Sequence, residues 1–219
     1  MRDSARLRIA PVPAPFLALV AALLPLTGCP GAHPVQDARG ATVGASSAGT
    51  GVRTTVEVRY YDVDGRSVQD ILAAMHRDGP QWQGRRFFGL TNTTLQYGYR
   101  HAYDGERCAP FQQAVLVEVV VMLPRWRTPR NTPYDLERDW RAFDRALRQH
   151  EDGHRRLAED EGATLDLELG RLRAPNCAAL DTAAATLADA VRAHYGAEHA
   201  SYDRHTEHGR SQGASWPRE

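Results

Sequence analysis

The sequence predicts an α+β domain in which a small antiparallel sheet comes first and two helices, the first of them long, follow. Two observations carry this. Up to about residue 123 the apolar residues alternate or cluster in short β-branched runs, and after Pro133 they recur at steps of three and four. The first pattern is the period of a strand, the second that of an amphipathic helix.

The first strand is expected where Thr55-Val56-Glu57-Val58-Arg59-Tyr60-Tyr61 alternates, with Asp64-Gly65 as its turn. Ser67 is then placed to N-cap a short helix through Ile71, Leu72 and Met75, closed by Gly79-Pro80. Two further strands are predicted over 87–95 and 96–103, before the Asp104-Gly105 turn. The β-branched run from Ala114 to Leu123, stopped by Pro124, is a strand of either kind: central, or an edge able to pair with an extended substrate. Trp140, Phe143, Leu147, His150, His154, Leu157, Glu161 and Leu165 trace one face of a long helix that Pro175 ends. A second helix is predicted from about Ala178 to Tyr195 or slightly beyond.

Three segments frame this domain, expected over 53–213. Arg2, Arg6 and Arg8 precede an apolar core from Phe16 to Leu26, and Leu26-Thr27-Gly28-Cys29 resembles a lipobox. Residues 1–29 therefore read as a lipoprotein signal peptide with Cys29 as the lipidated residue, too short to span a bilayer. Residues 30–52, rich in Gly, Ala, Ser and Thr, read as a flexible tether, and 214–219 as a polar tail. Export to the cell envelope, facing the periplasm or the cell surface, then leaves Cys108 and Cys177 to pair as a disulfide. Lys+Arg and Asp+Glu balance at 27 each, so nothing in the charge favours a nucleic acid as partner. The expected partners are a peptide or protein substrate and the membrane, through the lipid; the protein is expected to be a monomer.

The chemistry lies in His150-Glu151-Asp152-Gly153-His154. Four residues apart on a helix, the two histidines are offset by about 40° and one turn, so both imidazoles can reach one Zn2+. Glu151 flanks them as general base toward a zinc-activated water. Mid-helix Gly153 costs up to about 1 kcal/mol against Ala, which a closely packed neighbour would explain. A third ligand is needed. Asp160 points away from His150 on a continuous helix, and Glu168, on the same face, is about 27 Å along the axis. The C-terminal segment offers His194, His199, His205 and His208, and composition does not choose among them.

The motif, with Trp140, Phe143, Leu123-Pro124-Arg125-Trp126, Tyr61-Asp62-Val63-Asp64-Gly65 and Tyr202-Asp203-Arg204-His205-Thr206-Glu207-His208-Gly209, resembles a bacterial domain-of-unknown-function family described as predicted secreted zinc-dependent proteases. The resemblance covers roughly Val56 to Gly209. Its tail pattern, Tyr-Asp-x-x-Thr-x-His-Gly, implies His208 as the third zinc ligand and His205 as the alternative. Tyr202 and Thr206 stand as groups that orient the tail or stabilise an oxyanion, or else as packing or capping residues. The implied function is a zinc metallopeptidase; the alternatives are a cell-wall peptide amidase and a zinc-stabilised binding module without turnover.

Overall fold

The computed structural model describes residues 51–217, together with the short strands β1 (Arg8–Ala10) and β2 (Ala41–Val43). Cys29 and the rest of the expected signal peptide and tether lie outside the described residues. The elements that follow are β3 (Val52–Val63), α1 (Val68–Asp78), the two-residue strands β4 (Gln81–Trp82) and β5 (Arg85–Arg86), β6 (Leu90–Tyr103), β7 (Cys108–Trp126), α2 (Tyr134–Arg171) and α3 (Cys177–Thr206). The class is α+β, as the order of periodicities predicts.

The sheet runs β1-β6-β7-β3-β2, and it is mixed, not antiparallel. β6 and β7 form a hairpin, but β3 lies parallel to β7 over its whole length, Val52 opposite Val115 through Val63 opposite Trp126. The chain leaves β3 through α1, crosses behind as β6 and returns as β7 between the two. The run Ala114–Leu123 is thus a central strand. It alternates after all: Val115, Val117, Val119, Val121 and Leu123 are buried inward, while Glu118 is exposed. Pro124 does not stop it, since the strand continues to Trp126. The two strands expected over 87–103 are one, bent by an irregularity between Gly98 and Arg100.

α2 lies across the inward face, so closely that a Cβ on Gly162 would sit 2.4 Å from Val117. Leu147, Ala158, Leu165 and Leu169 are buried along its sheet side. α1 starts as predicted: Ser67 accepts from the Asp70 amide, and Asp70 Oδ2 accepts from the Ser67 amide, a reciprocal cap. Two of the residues expected as a polar tail, Ala214 and Trp216, belong to the core instead. Trp216 is buried against Trp140 and Phe143 and donates to Val68 O, so the last turn closes the end of the fold.

At the opposite end Cys108 and Cys177 are joined by the disulfide that the sequence predicts. Their loop of 69 residues makes the bridge worth about 4 kcal/mol by chain entropy. Reciprocal backbone bonds between Cys108 and Ala174 splice the start of β7 to the α2–α3 turn beside it. No helix among the described residues is long and apolar enough to cross a membrane.

Candidate metal centre

α2 and α3 run side by side, and α3 extends three turns further than the sequence suggests, to Thr206. That extension puts His199, Tyr202, Asp203 and Thr206, at helical spacing, on the face opposite His150 and His154. His150 Nε2 and His154 Nε2 lie 3.3 and 3.0 Å from Asp203 Oδ1, and the three ligand atoms are within 4.8 Å of one another. This is a possible metal-binding group. Zinc with ligands at 2.0–2.1 Å has neighbouring donors about 3.4 Å apart in a tetrahedron, so the spacing fits. The set of two imidazoles and a carboxylate also fits zinc by type.

His150 Nδ1 sits 3.2 Å from Gln212 Oε1, an atom that only accepts, so a cation on Nε2 would leave the ring proton on Nδ1 with a partner. Thr206 Oγ1 supports the same nitrogen at 3.4 Å while donating to Tyr202 O. His154 Nδ1 contacts His199 Nδ1 at 2.9 Å. Burial alone would raise the Asp203 pKa, but hydrogen bonds from His150 and His154 hold it well below the usual carboxylate range. Burial opposes charging of His150, and the bond to Asp203 with the charge of Glu151 outweighs it, leaving its pKa raised.

Glu151 is 3 % exposed, one residue along from His150. Its Oε2 accepts from Thr91 Oγ1 at 2.7 Å, and Gly89 leaves room for Oε1, which a Cβ there would meet at 2.6 Å. Burial pushes its pKa up; the Thr91 bond and the two histidines pull part of the way back. A family model described as "Bacterial protein of unknown function (DUF922)" matches residues 58–209. The chain belongs to that family. No curated protein and no solved structure matches it.

In this DUF922 chain the expected site residues fall into three groups. His150, Glu151 and His154 converge as the helix phase predicts. His208 is beside the centre but outside the closest cluster: its Nδ1 is 3.5 Å from Asp203 Oδ1, and its half-exposed ring meets Phe87 at the mouth. Asp203 completes the closest group of possible ligands, because the helix carries it inward whereas Glu207 and His208 have turned into left-handed conformations past the helix end. His205 is turned away, exposed and bonded to Ser201 O at 2.7 Å.

Tyr202 is a packing residue. Its ring stacks on His150 at 5.1 Å and stands edge-on to His154, while its hydroxyl donates to His150 O and accepts from Gln212 Nε2. It also accounts for Gly153, where a Cβ would lie 2.2 Å from the Tyr202 hydroxyl. Gly209, at φ +83°, turns the chain so that Gln212 reaches His150; a Cβ there would be 2.9 Å from the ring. The tail motif is therefore a device that seats α3 on the histidines. In the sequence His199 was one of four candidate histidines and Asp203 the acidic residue of the tail pattern; their spacing of four is what joins them on one face of α3.

Proposed function

We propose that the protein is a zinc-dependent metallohydrolase of the bacterial envelope that cleaves peptide bonds. The observation that carries the reading is the convergence of His150 Nε2, His154 Nε2 and Asp203 Oδ1 beside a buried Glu151 carboxylate. His150, His154 and Asp203 would hold the ion, and when bound it supplies Lewis-acid polarisation of a carbonyl and a water acidified toward a pKa of ~7. Glu151 would be the proton carrier of the site, placed to take a proton from the attacking water and to pass it to the leaving amine. Burial suits it to both halves of that transfer by making it a stronger base than an exposed glutamate. Thr91 fixes which carboxylate oxygen is free.

Peptide as substrate is supported by the edge of β6. Among the described residues no strand pairs with its outer side over 90–96, while Thr91 on that stretch touches Glu151. An extended chain added there would run past the base. The envelope location is supported by the lipobox-like Leu26-Thr27-Gly28-Cys29 and by the disulfide.

Glu151→Gln is the decisive variant. It keeps shape and zinc but has no base, so hydrolysis of a peptide library should fall by about 10²–10⁴-fold with zinc content unchanged. Undiminished cleavage would overturn the catalytic reading, and no cleavage by either form at full zinc occupancy would favour a binding module.

A further inference from the structure

His154 is gripped from both sides. Its Nε2 faces Asp203 Oδ1 at 3.0 Å, and its Nδ1 faces His199 Nδ1 at 2.9 Å. The His154 and His199 rings are stacked, with centroids 5.1 Å apart and planes at 21°. Two ring nitrogens in a hydrogen bond share one proton, so one is donor and the other acceptor. Ligation through Nε2 leaves a neutral His154 with its proton on Nδ1. His199 Nδ1 must then accept, and the His199 proton must sit on Nε2. That nitrogen is buried and has no hydrogen-bond partner in the structure. A buried, unpaired N–H is a cost that folding alone gives no reason to keep. The cost makes sense if the accepting nitrogen on the other side of the ring is what matters.

We propose that His199 is a positioning residue: it accepts the Nδ1–H of His154, and thereby locks the tautomer and ring angle that present the Nε2 lone pair to the cation. The inference rests on the metal reading given above. The arrangement also explains the spacing of four between His199 and Asp203. One turn of α3 supplies both the third ligand and the support of the second, so the two approach the cation as a rigid pair.

The test uses the full chain and zinc itself, titrated against a chromophoric chelator. His199→Leu removes the acceptor and should weaken zinc by about 10–100-fold. His199→Asn places its Oδ1 where Nδ1 stood and should restore most of that affinity. Cooperative melting of the metal-free variants, with a helical circular-dichroism spectrum like the parent's, separates this from misfolding. Equal affinity for the leucine variant and the parent, or equal weakness of the asparagine and leucine variants, overturns the proposal. Nitrogen-15 NMR of the zinc-loaded parent checks it with no substitution: His199 should be protonated at Nε2 and His154 at Nδ1, and a His199 protonated at Nδ1 overturns it. A parent chain that takes up less than about half an equivalent of zinc sinks the metal reading itself; that outcome is distinct because no variant then differs.

Discussion

Glu151 and Glu161 lie ten residues apart on the same helix, both buried, both with pKa values raised by burial. Around Glu151 stand Thr91, two imidazoles, the Asp203 carboxylate and a glycine that makes room. Around Glu161 the charge of Arg192 pulls against burial, and its pKa still reaches about 7. Burial perturbs a carboxyl wherever it occurs. What distinguishes a site is that other groups of complementary chemistry converge on the same point.

The strongest way to break this contrast is to remove the convergence. Asp203→Ala should weaken zinc by more than the roughly 100-fold that loss of a supporting partner costs, whereas His208→Ala should cost less. The reverse order, measured by chelator competition, would return the third place to His208. Zinc should also be released toward mildly acid pH, since imidazole ligates only when neutral. Gly153→Ala attacks the packing that brings α3 in. Its Cβ would strike the Tyr202 hydroxyl at 2.2 Å, so overpacking of about 1–3 kcal/mol should exceed the gain in helix propensity and lower the melting temperature.

The mildest test concerns Glu161. Its pKa is raised on folding, from 4.5 to about 7, so the stability tied to its protonated form is fully present below pH 4.5 and lost as pH rises through 7. Glu161→Gln should therefore melt with the parent at pH 4.5 and above it at pH 8, by about 1–3 kcal/mol, with zinc affinity unchanged. A variant no more stable at pH 8 would mean that Glu161 stays ionised in the fold.

The parts of the fold legible in sequence were those written by periodicity and capping. The steps of three and four from Trp140 to Leu165 phased α2 correctly and put both histidines inward. Ser67 announced α1, and Gly153 announced a close neighbour. Three features were not legible, each for a physical reason. Parallel pairing of β3 with β7 joins segments some sixty residues apart, and strand periodicity carries no direction. The last turns of α3, Ala-Glu-His-Ala-Ser-Tyr-Asp, bury one polar face against another, so no apolar stripe marks them. That is why α3 was expected to end near Tyr195, short of Asp203. Trp216 sat among polar residues and looked like an end, although a single tryptophan is enough to close a core.

The bridge between Cys108 and Cys177 is remote from the chemistry, yet it fixes the first residue of the helix whose far end bears Asp203. Twenty-six residues of helix make a lever about 39 Å long, on which one degree of swing at the pivot moves the tip by about 0.7 Å. A set of converging ligands has to be held to about 0.5 Å, so the seating of α3 decides whether Asp203 meets the two histidines. The disulfide thus pins the near end of the helix whose far end carries His199 and Asp203.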